Sequence, residues 1–159
     1  MNRIALCLMV LCLGGSALAA DAHTKSKKAL LAAIDIPLTP TLVEQHDLNA
    51  PFLMSIIMSP TAALYTRGRA IAALGMRREL GIGTHLEFII QGSFSDVLKD
   101  QAIVSLAKGW GRQNPGLAMT ILANQAAIQS GRLRTALRRE FAWLQAQVGR
   151  REAHPTSAE

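Results

Sequence analysis

Apolar residues recur along this chain at helical spacing. The clearest run is Leu133, Leu137, Phe141, Leu144 and Val148, at intervals of four, four, three and four. That spacing lays one stripe along a helix of about five turns. Upstream, FLMSIIM from Phe52, THLEFII from Thr84 and GLAMTIL from Gly116 are shorter apolar stretches. No segment alternates with period two and β-branched residues, so no strand is expected and the chain reads as all-α.

Start and stop signals divide the pattern further. Thr41 with Glu44 fits a capping box, and Pro51 would end that segment. Ser59 would cap a helix with Pro60 at its first position, closed by Gly81 and Gly83. Thr84 with Glu87 and Ser93 with Asp96 fit two more boxes, stopped by Gly92 and Gly109. Asn114-Pro115 opens a helix that ends at Gly131, and Leu133 opens the last one.

Shifted by about 32 residues, the sequence superposes landmarks on itself. Pro51, Gly83 and Pro115 align, as do the three apolar stretches. Ala70–Gly75 falls on Ala102–Ala107, and Tyr65–Arg69 on Val97–Gln101. After Ala127 the register slips by about three, so that Leu133 matches Leu98. Short helices (52–58, 85–91, 116–127) thus alternate with longer ones (61–80, 94–108, 132–148), and such a period marks a stacked helical array. Gly68, Ala70, Ala72 and Ala73 would let neighbours approach closely.

The lines FLMSIIMSPTAALYTRGRAIAALG and LEFIIQGSFSDVLKDQAIVSLAKG resemble a HEAT-like helical repeat over residues 48–148. The stretch from Trp110 to Ala118, W-x-x-x-N-P-x-x-A, is similar to a tetratricopeptide-like helix pair as a second choice. The resemblance implies a short α-solenoid of about three helix pairs, with residues 29–50 and 132–148 as caps. It also implies a binding face for a protein or peptide, and no catalytic centre.

The first 20 residues carry a different pattern. Arg3 precedes an unbroken apolar run from Ile4 to Leu13, Gly14-Gly15-Ser16 breaks it, and Ala17-Leu18-Ala19 offers the small side chains a signal peptidase requires. The run is about half the roughly 20 residues a spanning helix needs. Residues 1–20 are therefore expected to be a secretory signal, which places the protein in the periplasm or outside the cell. Residues 21–28 and 149–159 are expected to be flexible tails around a helical-repeat domain over 29–148. Cys7 and Cys12 both lie within the signal, leaving the mature chain without a disulfide, thiolate metal site or cysteine nucleophile.

Half the residues are hydrophobic and 18% are charged, which excludes a disordered chain. Without Arg3 the chain keeps 16 basic against 11 acidic residues, a net charge of +5. This bias favours an acidic protein or peptide, or an anionic lipid or glycan, and the secretory address makes nucleic acid the least suited partner.

The basic residues fall in two groups. Arg67, Arg69, Arg77 and Arg78 lie on one long helix, and Arg132, Arg134, Arg138 and Arg139 flank the apolar stripe of the last. Guanidinium groups suit bidentate carboxylate or phosphate contacts. With Trp110 as an anchor, these nine are the candidate partner-binding residues. The bland alternatives are a solvated surface for the arginines and packing at unit junctions for Trp110 and Trp143. Glu140 falls near the apolar stripe without a basic neighbour on its own face, so it is expected to pair with an arginine of another helix, Arg67 or Arg69.

Catalytic signals are sparse. Ser105-Leu106-Ala107-Lys108 fits S-x-x-K, but its partner motifs are absent. Asp96 and Asp100 are spaced for one helix face and could act as paired carboxylates, although Asp96 also suits a first-turn role. Gly81-Ile82-Gly83 lacks the third glycine of a dinucleotide loop. His85 with Glu87, and His46 with Asp47, cannot share a face, so no metal or other cofactor is expected. The leading expectation is a non-catalytic scaffold or adaptor for an acidic protein or peptide. The alternatives are a small envelope hydrolase or its accessory subunit, and an envelope protein that binds anionic lipid or glycan.

Overall fold

Prolines stand in the first turn of three helices of this chain, at Pro40, Pro51 and Pro115. The computed structural model describes residues 22–153; the expected signal over residues 1–20 lies outside them. Helical backbone covers residues 22–32 (α1), then Pro40–Gln45 (α2), Ala50–Met58 (α3), Leu64–Gly75 (α4), Ile82–Gln91 (α5) and Asp96–Val104 (α6). A π-helical turn, Ser105–Gly109, and a 3-10 turn, Trp110–Arg112, follow α6 without a break. Pro115–Ile128 (α7) and Gly131–Ala153 (α8) complete the chain. The described residues contain no strand, as the period-two test predicts.

Several boundaries differ from the sequence signals. Thr39, not Thr41, caps α2, its hydroxyl accepting the Leu42 N–H at 3.2 Å. A residue before proline is pushed to extended backbone, which is the N-cap geometry, and Pro40 imposes it on Thr39 (φ −125°, ψ 156°). Pro51 does not end a helix; it sits in the first turn of α3, where Asn49 accepts the Phe52 N–H at 3.0 Å. Ser59 closes α3 instead of opening α4, because the buried Ile56 and Ile57 carry the helix on to Met58. Gly81 and Gly83 open α5, so Thr84 and Glu87 lie inside that helix. The cap of α6 is Ser95 and not Ser93, while Asp96 does take the first-turn position. Gly92 and Asn114-Pro115 stand where the signals place them.

The described residues divide into two compact units, 22–37 and 38–153. In the first, residues 22–28 are helical and Lys27 is buried, where a polar flexible segment was expected. In the second, α3 packs on α4, α5 on α6 and α7 on α8. The later member of each pair also meets the next: α4 lies against α6, and α6 against α8. Among the earlier members α5 lies against α7. Leu53, Ile71, Leu86, Leu98, Leu122 and Leu137 are fully buried between them. The stripe of α8 is core at Leu137 and Leu144, and the helix runs past Val148 to Ala153, into the expected tail.

The π turn marks a close crossing. A Cβ on Gly109 would lie 2.6 Å from the Gly75 carbonyl oxygen, and one on Gly75 would lie 2.7 Å from Ser105 Cβ. Only glycine lets the two backbones touch there. A widened turn lets Ser105–Gly109 follow α4 at that distance while its other side holds Leu106 and Ala107 in the core.

Candidate binding surface

Most of the candidate arginines are committed within the fold. Arg67 Nε donates to the Ile57 carbonyl at 2.8 Å, in the last turn of α3, and its guanidinium lies 5.8 Å from the Phe94 ring centre. Arg134 Nε donates to the Gln129 carbonyl at 2.7 Å, at the end of α7. Both therefore satisfy helix C-terminal carbonyls that have no partner within their own helix. Arg77 Nε bonds Glu79 at 3.1 Å. That hydrogen bond lowers the Glu79 pKa below the usual carboxylate range against an opposing desolvation, and raises that of Arg77. Arg132 pairs with Asp100 across α8 and α6, and Arg139 with its neighbour Glu140 at 2.9 Å. Arg69 stacks over Tyr65 and bonds its hydroxyl at 3.2 Å. Arg78 and Arg138 are exposed, and their side chains engage no partner among the described residues.

Trp110 is not a surface anchor. It is 1% exposed, and its indole N–H donates to the Glu79 carbonyl at 3.0 Å. Its ring edge fills the space beside Gly83, where a Cβ would meet it at 2.6 Å. Trp143, on α8, is instead half-buried and collects cations: Lys108 Nζ lies 5.4 Å and the Arg112 guanidinium 5.7 Å from its ring centre.

Glu140 is 1% exposed and does pair with a cation of another element, but the partner is Lys108 at 3.3 Å, not Arg67 or Arg69. Those two arginines are held at Ile57 and Tyr65. Lys108 reaches Glu140 because the π turn lies against α8.

Two grooves share Ala72 of α4: one lies between α4 and α6, and the other is bounded by the ends of α4 and α6, Pro40 of α2 and the turns that follow α6. One, of about 370 Å³, has an apolar floor of Leu64, Tyr65, Gly68, Ala72 and Val97, with Arg69 and Gln101 beside it. The other, of about 350 Å³, carries Lys108, Arg112 and Gln113 over Met76 and Val104. Ser105 lines it from below. Sequence periodicity did not single out Leu64, Tyr65, Val97 or Arg112. The grooves exist because α4 and α6 lie side by side and the turns after α6 come back beside them, and the signal that bears on them is the pair of aligned, small-residue-rich helices.

Of the residues of possible catalysis, Ser105, Lys108 and Asp100 are engaged elsewhere. Ser105 is buried, its hydroxyl accepting from Gln101 at 3.3 Å, and Lys108 faces Glu140; no hydrogen bond joins Ser105 to Lys108. Activation of a serine nucleophile requires such a bond to its base. Asp100 is held by Arg132, and Asp96 is exposed at the start of α6. The Glu87 carboxylate accepts from Gln125 at 2.8 Å and Gln91 at 3.3 Å. Among the described residues no group of three or more His, Cys, Asp or Glu is placed to hold a metal ion. Nor is any helix there long and apolar enough to cross a membrane. No protein-family model, curated protein or solved structure matches the chain.

Proposed function

We propose that this is a non-catalytic scaffold or adaptor of the bacterial envelope that binds an acidic protein or peptide along α4 and α6. The observation that carries the reading is the furrow formed by the pair of grooves meeting at Ala72, one with an apolar floor edged by Arg69 and the other carrying Lys108 and Arg112. The helix pairs α3/α4, α5/α6 and α7/α8, each touching the next, support a short solenoid related to HEAT-like or tetratricopeptide-like repeats. The second helices of the pairs would then form the binding side. Surface charge adds attraction that salt screens beyond about 10 Å at 0.1 M.

The test is capture from envelope extract on the immobilised protein, at low and high salt, beside a Tyr65→Ala, Arg112→Glu double variant. The expected result is one protein retained near one-to-one, released by salt and absent from the variant. Retention of lipid or glycan alone would replace this reading with the anionic-surface one. Retention of nothing at either salt would end it.

A further inference from the structure

We infer that the furrow holds one extended peptide of about six residues, polarised, with bulky apolar side chains at one end and carboxylates at the other. This specifies the ligand of the scaffold reading above and rests on it.

Length comes from the helix. From Leu64 to Met76 the furrow follows about twelve residues of α4 and its cap, or ~18 Å of helical rise. An extended chain advances ~3.3 Å per residue, so five or six residues fill that distance.

Polarity comes from the side chains. At the far end Lys108 and Arg112 converge on the Trp143 ring, and the buried Glu140 is already shared between Lys108 and Arg139. Lys108 and Arg139 thus share the one carboxylate, and Arg112, stacked on Trp143, has no carboxylate of its own, which leaves net positive charge at this end of the groove. Among the described residues no acidic side chain lines either groove. At the near end Leu64, Tyr65 and Val97 are 48%, 45% and 58% exposed, Gly68 between them has no side chain to fill the floor, and the one cation there, Arg69, is held on the Tyr65 ring and hydroxyl.

The same features favour a peptide over a fatty acid. A lipid tail calls for a pocket that encloses most of its surface, whereas this floor is half open. A peptide also brings backbone N–H and C=O groups that need partners. Gln101 lines one groove and Gln113 the other, so each half offers a side-chain amide to that backbone.

The experiment is fluorescence anisotropy on the purified protein at low ionic strength. The probes are labelled six-residue peptides with two leucines at one end and two glutamates at the other, in both chain directions. Two controls replace the glutamates by glutamine or the leucines by serine. One direction of the polarised peptide is expected to bind at least about ten-fold tighter than either control. Arg112→Glu should remove that advantage while leaving the glutamine control unchanged. Ala72→Leu, which fills the junction of the grooves, should weaken both, and thermal melts followed by circular dichroism establish that the variants are folded.

Equal binding of all four peptides, or no effect of either variant, would overturn the inference. So would tighter binding of oleate vesicles than of any peptide. If the envelope capture succeeds but is insensitive to Ala72→Leu, the polarised furrow is wrong and the scaffold stands. If no peptide binds and the capture also retains nothing, both fall.

Discussion

Arg67 and Arg134 make the same bond in different helix pairs. Each is the fourth residue of its helix, and each donates Nε–H to a carbonyl at the end of the helix before it, Ile57 at 2.8 Å and Gln129 at 2.7 Å. Lys99 holds the fourth position in α6. The three lie in the register given by the 32-residue shift and its later slip, so a positive charge stands at the same place in each pair. At Arg67 and Arg134 it faces the negative end of a helix dipole where backbone acceptors are unpaired.

Arg67→Met and Arg134→Met should therefore destabilise the fold, each by roughly 1.5–3 kcal/mol, the range for a hydrogen bond from a charged donor. Arg138→Met, on the exposed side of α8, should change stability by less than about 0.5 kcal/mol. Urea unfolding of the three variants checks this. Equal effects at Arg67 and Arg138 would show that the cap contributes nothing.

Gly83 tests the burial of Trp110. Glycine to alanine inside a helix ordinarily gains up to about 1 kcal/mol. Here the new methyl would fall 2.6 and 2.8 Å from two atoms of the Trp110 ring, which is 1% exposed and tied to the Glu79 carbonyl. Gly83→Ala should instead cost about 1–3 kcal/mol, as overpacking does. Gly116→Ala in α7 meets nothing within 4 Å and should be neutral or stabilising. The opposite signs, read from thermal melts, distinguish close packing from propensity.

Much of this was legible in the sequence, but unevenly. The helical class, the alternation of helices and the shared register of Arg67, Lys99 and Arg134 follow from periodicity, which is a local property. Helix boundaries were harder because several Ser and Thr stand near each start. Thr39 prevails over Thr41 through Pro40, and Asp96 suits a cap at Ser95 no less than at Ser93. Contacts across elements could not be read at all. Glu140 signalled a missing cation, yet only the π turn after α6, set by the Gly75–Gly109 contact, brings Lys108 to it. The furrow was invisible for the same reason, since its two walls come from different helices.

The Glu140 cluster has its own signature. Its carboxylate is 2% exposed, while Lys108 and Arg139 are 43% and 66% exposed. Removing a cation strands a buried charge, whereas removing the carboxylate leaves two cations that can turn to water. Lys108→Met should cost roughly 1–3 kcal/mol, the penalty for a buried polar group that loses a partner. Glu140→Leu should cost less despite the larger change in character. Chemical unfolding of both gives the ranking, and a more damaging Glu140→Leu would contradict it.

Acid should weaken one link at the α4–α5 junction. The Arg77 hydrogen bond holds the Glu79 pKa below the usual carboxylate range. A depressed folded-state pKa means the stabilisation is fully present above the unfolded-state value and is lost as pH falls through the folded one. Glu79 is 53% exposed, so the pair contributes at most about 1 kcal/mol at neutral pH. Glu79→Gln should cost that much or less at pH 7, and the difference from the natural protein should vanish once the solution is more acid than the folded Glu79 pKa. The Trp110 indole bonds the Glu79 main-chain carbonyl, which glutamine retains, so tryptophan emission should be unaltered by the substitution. Unfolding free energies measured from pH 7 down to pH 3 test the sign; a stability gap that widens in acid would show that the carboxylate, not its protonated form, is the less stable partner in the fold.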